Sequence, residues 1–198
     1  MKGFEREDRL FSLCGLNCGL CPMQIGGYCP GCGGGEGNQS CAIARCSLER
    51  DRVEYCFQCG DYPCSRYEGL DEYDSFITHR NRKKDMLKAQ EAGSAAYGRE
   101  QAEKAEILRY LLEHYNDGRK KNFYCVAVNL LELEDIRNVM RQIAEQKKMR
   151  KESGKATEKL SEKLSEKERA AFASELFQAA AADRGIELKL KKKPAKKK

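Results

Sequence analysis

Residues 14–32 read CGLNCGLCPMQIGGYCPGC, and this stretch decides how the first part of the chain folds. It contains five cysteines and five glycines, and it includes two C-x-x-C pairs, Cys18/Cys21 and Cys29/Cys32. Two thiolates with this spacing reach one metal ion from a single turn, and glycine permits the positive φ that tight turns need. Since the stretch has no regular apolar period, it predicts loops held by metal instead of a helix or a strand.

Further cysteines follow on the C-terminal side, including a third pair at Cys56/Cys59. The chain starts with charged residues and no apolar segment follows them, so we expect no signal peptide and a cytoplasmic protein. Thiols stay reduced in the cytosol, where a high cysteine density indicates metal binding instead of disulfides. The predicted metal ligands are Cys14, Cys18, Cys21, Cys29, Cys32, Cys41, Cys46, Cys56, Cys59 and Cys64.

Ten thiolates suffice for two tetrahedral zinc sites of four thiolates each, or about two zinc ions per chain. The simplest first site joins the two C-x-x-C pairs of residues 18–32. A second site would join Cys56/Cys59 to two of Cys41, Cys46 and Cys64. A cross-braced arrangement of the pairs is equally allowed, and two cysteines are left over in either case.

The C-x3-C-x2-C run of residues 14–21 also suits iron. Radical S-adenosylmethionine enzymes hold a [4Fe–4S] cluster with this spacing, and residues 34–36 resemble their Gly-Gly-Glu element. Those enzymes need a partial α/β barrel, and this region has no strand–helix alternation, so we reject that class. A cluster ligated only by cysteines remains the alternative to zinc, and would indicate electron transfer or redox sensing.

Helical periodicity begins after residue 66. A helix is predicted from Asp74-Ser75 through Met86–Leu87, and the clearest one spans Arg99–Tyr115. Residues 123–131 fit a helix better than a strand, and another helix follows from Glu132. A short strand is predicted within residues 186–190.

The expected fold is a small, irregular, metal-stabilised cysteine-rich module joined to an all-α helical bundle, and is mainly α overall. The predicted organisation is a module at 1–66, a bundle at 67–150, a linker at 151–156, an amphipathic helix at 157–185 capped by Thr157, and a basic tail at 186–198.

The chain carries a net charge of +6, and most of it has a local source. Residues 186–198 contain seven lysines against Glu187, so the remainder of the chain is balanced. The tail predicts either a solubilising end or a contact between Lys189–Lys198 and nucleic acid. No apolar run is long enough to span a bilayer, so we expect no membrane partner.

The order of these motifs also resembles a known family. The run at 14–22 is followed by CPGC at 29–32, Cys41 and Cys46, CFQC at 56–59 and Tyr62-Pro63-Cys64. This resembles the cysteine-rich prokaryotic family catalogued as domain of unknown function 3795. Residues 74–78 and the helices to about residue 146 also resemble its longer members. The resemblance implies a bacterial or archaeal cytosolic protein and carries no activity, so it supplies no catalytic residues.

No catalytic constellation is evident in the sequence. His79 and His114, the only two histidines, lie in charged stretches typical of surface residues, and Cys125 lies on an apolar segment typical of core. An enzyme that uses a spare thiolate such as Cys14 or Cys64 stays an alternative. The sequence therefore predicts a non-catalytic zinc-binding protein of binding or regulatory type, with the bundle as the surface for an unknown protein partner.

Overall fold

A computed structural model describes residues 2–35, 41–155 and 165–194, and these residues form mainly α-helices. The helices are α1 (Pro22–Ile25), α2 (Ala42–Leu48), α3 (Arg82–Ala92), α4 (Ser94–His114), α5 (Lys121–Leu130), α6 (Leu133–Lys155) and α7 (Glu166–Asp183). The described residues form no β-strand and only two isolated bridges, Glu5–Gly34 and Phe11–Asn17. The prediction of a mainly α protein is therefore confirmed.

The chain divides into two compact units. The first comprises Met1–Glu106 and Lys189–Lys198, and the second comprises Ile107–Leu188. The division falls inside α4, well beyond residue 66. The first unit extends this far because Phe11 and Tyr55 of the cysteine-rich part share a core with Met86 of α3 and Tyr97 of α4.

The helix expected from Asp74 begins later than the sequence pattern indicates. Residues 74–81 are not helical, and α3 starts at Arg82 after Asn81. The Asp74 carboxylate explains the difference, because Oδ1 accepts the backbone N–H of His79 at 2.7 Å and Oδ2 accepts that of Lys191 at 2.8 Å. An aspartate that binds nearby backbone amides favours a turn over a helix.

The remaining helices follow the apolar periodicity closely. Residues 121–130 are helical, so the strand alternative for this segment is wrong. Helix α6 continues to Lys155, and residues 151–155 of the predicted linker are therefore helical. No strand forms at residues 186–190. Instead the chain leaves α7 through Gly185, whose φ of +66° suits the residue after a helix end.

Helix α7 begins with a capping box. The Ser165 hydroxyl accepts the N–H of Glu168 at 3.3 Å, and the Glu168 carboxylate accepts the N–H of Ser165 at 2.8 Å. This reciprocal pair satisfies two amides that the first turn of a helix leaves without partners. The cap predicted at Thr157 lies outside the described residues.

Aromatic and aliphatic side chains of α5, α6 and α7 fill the core of the second unit. Tyr124 and Phe177 are fully buried, with ring centroids 5.9 Å apart, and the Tyr124 hydroxyl donates to the carbonyl of Tyr115 at 2.9 Å. At the surface, Arg184 donates to both carboxylate oxygens of Asp135 at 2.7 and 3.1 Å. Across the described segments, no helix combines the length and the apolar character that a membrane span requires.

Candidate metal centre

Two of the three C-x-x-C pairs adopt the same local turn. Residues 18–20 and 56–58 each form one turn of 3₁₀ helix. The N–H of Cys21 donates to the carbonyl of Cys18 at 3.0 Å, and the N–H of Cys59 donates to that of Cys56 at 3.0 Å. The turn places the two cysteines of each pair near one another, and Pro22 then starts α1 at a position where its missing N–H costs nothing.

The third pair depends on a glycine. Gly31 lies between Cys29 and Cys32 with φ at +88°, and a Cβ on this residue would lie 2.3 Å from the carbonyl oxygen of Arg9. The same carbonyl accepts the N–H of Cys32 at 3.1 Å. Only glycine fits a backbone that approaches so closely in the left-handed region, so Gly31 fixes Cys32 against the N-terminal segment.

The first group of thiols surrounds Cys18. Burial raises the pKa of the Cys18 thiol far above its ordinary value, and the neighbouring thiols of Cys32, Cys14, Cys21 and Cys29 raise that pKa further. The charges of these neighbouring thiols therefore affect Cys18, and the sharing of one metal ion by the two C-x-x-C pairs of residues 18–32 stays a prediction.

A buried arginine lies beside this group. The Arg6 side chain is 1% exposed, and its guanidinium donates to the carbonyls of Glu54 and Phe11 at 2.7 and 2.9 Å. Burial raises the pKa of the Cys32 thiol, and the positive charge of Arg6 opposes that rise. A fixed cation next to buried thiols favours their thiolate form, which is the form that binds metal.

The second group of thiols lines a single cavity. Cys46, Cys56, Cys59 and Cys64 all contribute to the wall of a cavity of about 30 Å³, together with Tyr62 and Tyr67. Burial raises the pKa of the Cys56 thiol to about 12. The charges of Cys14, Cys64 and Cys46 contribute to the same rise in pKa.

A buried tyrosine hydroxyl neighbours this second group. Tyr67 is 5% exposed, and its hydroxyl oxygen is buried. Among the described residues, no partner forms a hydrogen bond of normal geometry with this hydroxyl. Burial is the largest cause of the raised pKa of this hydroxyl, and the neighbouring Cys56 and Cys14 raise the pKa further. A buried hydroxyl without an acceptor is unfavourable, and a thiolate at Cys56 would supply one.

A second arginine contacts the second group. Nη1 of Arg50 lies 3.6 Å from Sγ of Cys59, and the same guanidinium forms an ion pair with Asp61. Four thiolates around Zn²⁺ carry a net charge of −2, so a cation beside each group offsets part of that charge. Arg6 and Arg50 hold these positions in the first and second groups.

Two of the ten predicted ligands differ from the other eight. Cys14 neighbours Cys18 and Cys32 of the first group and also Cys56 of the second, and its Sγ lies 3.4 Å from the Ser12 hydroxyl. Cys41 is exposed and is not among the residues that line the cavity. All eleven cysteines are free thiols, and Cys125 is buried in α5.

The thiols are not arranged in coordination geometry. Within residues 2–35, 41–155 and 165–194, no three His, Cys, Asp or Glu side chains are placed to hold a metal ion. Cysteine sulfurs move between staggered positions by rotation about the Cα–Cβ bond, which is exchange between ordinary rotamers. Thiols are donors that zinc accepts, and the binding of zinc by these cysteines stays a prediction.

Sequence reasoning missed one pair of polar side chains. The Ser75 Oγ lies 2.9 Å from Nε2 of His79, and Nδ1 of His79 lies 2.9 Å from the carbonyl oxygen of Leu70. A serine four residues before a histidine was the only sequence signal for this contact. A helix was predicted for this segment, so the loop that brings the two side chains together was not expected. His114, the other histidine, stacks edge-on against Tyr110 with ring centroids 4.5 Å apart.

Comparisons with known proteins identify no relative. No protein-family model matches the chain, no curated protein matches its sequence and no solved structure matches it. The resemblance to domain of unknown function 3795 therefore stays a prediction.

Proposed function

We propose that this protein binds two zinc ions through its N-terminal cysteines and acts as a non-catalytic binding or regulatory protein. The observation that carries the proposal is the second group, where four thiols line one cavity beside the buried Tyr67 hydroxyl, which neighbours Cys56. Zinc bound by thiolates at this position would give the Tyr67 hydroxyl an anionic sulfur to donate to.

The proposed ligand sets follow the two groups. The first zinc is bound by Cys18, Cys21, Cys29 and Cys32, and the second by Cys46, Cys56, Cys59 and Cys64. Each set contains a C-x-x-C turn with an arginine beside one of its thiols. Cys14 lies between the sets, and together with Cys41 it is not assigned to either ion.

Zinc would also supply folding free energy to the first unit. Around the thiols the cysteine-rich part buries a small set of large side chains, Phe4, Leu13, Ile43 and Tyr67, while Phe11 and Tyr55 pack against α3 and α4. A structural zinc site contributes roughly 10–16 kcal/mol, which is large against the net stability of a domain. We therefore expect the cysteine-rich part to need its metal in order to fold.

Zinc is our first choice of metal, because each group offers four thiols and zinc prefers tetrahedral coordination by thiolates. An iron–sulfur protein in electron transfer or redox sensing is the alternative, because clusters are also ligated by cysteines.

Elemental analysis tests the metal. Protein purified without oxygen is assayed for zinc, iron and acid-labile sulfide, and we expect about two zinc ions per chain and no sulfide. Iron with matching sulfide would establish the alternative. A folded chain without any bound metal would refute the proposal.

The partner of the protein stays a prediction. The four lysines within residues 189–193 are exposed, on a backbone that hydrogen-bonds to Asp74 and Arg80, and residues 195–198 lie outside the described part. The tail Lys189–Lys198 is the candidate contact for nucleic acid, and the bundle of residues 67–150 is the candidate surface for a protein. A polyanion contact predicts binding that weakens steeply with salt.

A further inference from the structure

The loop before α3 contains a hydroxyl and an imidazole in direct contact. Ser75 Oγ and His79 Nε2 are 2.9 Å apart. The Ser75 residue is exposed, whereas His79 is half-buried. A serine hydroxyl is a weak nucleophile by itself, and it becomes a stronger one when a neighbouring base removes its proton during attack.

The second nitrogen of His79 decides the direction of this hydrogen bond. Nδ1 lies 2.9 Å from the carbonyl oxygen of Leu70, and a carbonyl oxygen only accepts. Nδ1 therefore carries the ring proton, which leaves the lone pair on Nε2. Consequently the Ser75 hydroxyl donates to Nε2, which is the orientation that general-base catalysis needs.

The ionisation state of His79 suits the same role. Burial is the largest effect and lowers the pKa of the imidazole, and the positive charge of Arg82 lowers it too. The hydrogen bond to the Leu70 carbonyl and the charges of Asp74 and Asp71 raise the pKa, but the net shift is downward. The ring is therefore neutral at physiological pH and free to accept a proton at Nε2.

The loop is held in place from both sides. The Asp74 carboxylate accepts the N–H of His79 at 2.7 Å and the N–H of Lys191 at 2.8 Å, and its own N–H donates to the Lys191 carbonyl at 2.8 Å. Arg80 donates to the carbonyl of Lys189 at 2.8 Å. The segment at 189–191 thus fixes the loop that presents the pair.

We propose that Ser75 and His79 form a nucleophile and its general base, so that Ser75 accepts an acyl group from an activated ester or thioester. The Ser75 oxygen forms a bond to the acyl carbon while its proton passes to Nε2 of His79. The bond from that carbon to the alcohol or thiol leaving group then breaks, and His79 returns the proton to the leaving group. Water activated by the same nitrogen later hydrolyses the acyl serine.

The surroundings favour an apolar acyl donor. Phe76 follows Ser75 directly and is 64% exposed, so it offers an uncovered aromatic surface beside the hydroxyl. The guanidinium of Arg80 is directed to the Lys189 carbonyl and the Thr78 hydroxyl, and that of Arg82 forms an ion pair with Asp71. We therefore expect neutral acyl groups to react in preference to phosphoryl donors, whose charge requires a cation directed at the reacting group.

Active-site labelling of the full chain tests the proposal. The purified protein is treated with an alkyl fluorophosphonate and, separately, with p-nitrophenyl butyrate, and the modified residue is located by peptide mass spectrometry. The fluorophosphonate loses fluoride when the serine oxygen attacks phosphorus. We expect modification of Ser75 by both reagents, no modification at this position in Ser75→Ala, and labelling in His79→Gln slower by on the order of 100-fold or more.

The Ser94→Ala variant is the matched control, because Ser94 is also an exposed serine of the first unit. It should label at Ser75 at the wild-type rate. An unlabelled Ser75 in folded wild-type protein would overturn the proposal, as would a wild-type rate in folded His79→Gln. Thermal unfolding establishes that each variant is folded. Zinc content is measured separately, so a result that refutes zinc binding is distinguishable from a result that refutes the role of Ser75 and His79.

Discussion

The side-chain amide of Asn17 donates to Oδ2 of Asp85 across 2.9 Å, and both residues are buried in the first unit. The Tyr97 hydroxyl donates in turn to Oδ1 of Asn17 at 3.0 Å. Because Asn17 directly precedes Cys18, this chain of hydrogen bonds joins the first C-x-x-C turn to α3 and α4. It explains why the first unit includes helices that lie well beyond the last clustered cysteine.

Loss of the Asn17 side chain should destabilise the first unit. The Asn17→Ala variant removes the buried side chain that donates to Asp85 and accepts from Tyr97, and loss of such hydrogen bonds typically costs about 1–3 kcal/mol. We expect the free energy of unfolding, measured by urea denaturation, to fall by roughly that amount. Asn122→Ala, at an exposed position of α5, is the control and should change it by no more than about 0.5 kcal/mol. Equal effects of the two variants would contradict the assigned role.

The two ligand sets predict which variants lose one zinc ion. Cys21→Ser should remove the first zinc and Cys59→Ser the second, because each breaks one four-thiolate site and leaves the other complete. Cys125→Ser, which changes a buried thiol of the second unit, should retain both ions. Zinc per chain measured by elemental analysis gives the count. Retention of both zinc ions in Cys59→Ser would show that the second set is assigned wrongly.

The Tyr67 hydroxyl should affect zinc affinity without affecting zinc count. Tyr67→Phe removes only the buried hydroxyl beside Cys56, and a hydrogen bond to a ligand typically changes metal affinity about 10- to 100-fold. We expect two bound zinc ions but faster loss of one of them to a competing chelator. Tyr28→Phe is the control, because Tyr28 is 77% exposed. If the two variants release zinc at the same rate, the hydroxyl has no such role.

The buried imidazole of His79 should make stability depend on pH. Burial lowers the pKa of His79 in the folded state below the value of about 6.5 that applies when the chain is unfolded. As pH falls through that value, the unfolded state takes up a proton that the folded state resists, so the folded state loses stability. Measured between about pH 7.5 and 5, unfolding free energies should therefore fall more steeply for wild type than for His79→Gln.

Ser94→Ala, at an exposed position of α4, is the control for this measurement, because it neither adds nor removes a titratable side chain. It should follow the wild-type pH dependence. A His79→Gln variant whose stability falls with pH as steeply as that of wild type would show that His79 does not contribute to the slope.

Local sequence patterns predicted the secondary structure well where contacts are local. The apolar stripes of α4, α5 and α6 repeat with the helical period, and a helix needs only neighbours three and four residues apart. The turns at Cys18–Leu20 and Cys56–Gln58 are local for the same reason. The helix predicted from Asp74 failed because the Asp74 carboxylate bonds to Lys191, which lies far along the chain and which no local pattern reveals.

The sequence by itself determined that ten cysteines occupy residues 14–64 in closely spaced pairs, and therefore which side chains are candidate ligands. Only the tertiary structure decided which cysteines are neighbours. It placed Cys46 and Cys64 around one cavity with Cys56 and Cys59, left Cys41 exposed, and set Cys14 between the two groups. It also brought Ser75 against His79. The physical reason is that the spacing of cysteines along the chain fixes the geometry within a single turn. Contacts between different turns depend on the packing of side chains from separate segments, such as Phe4, Leu13 and Tyr67.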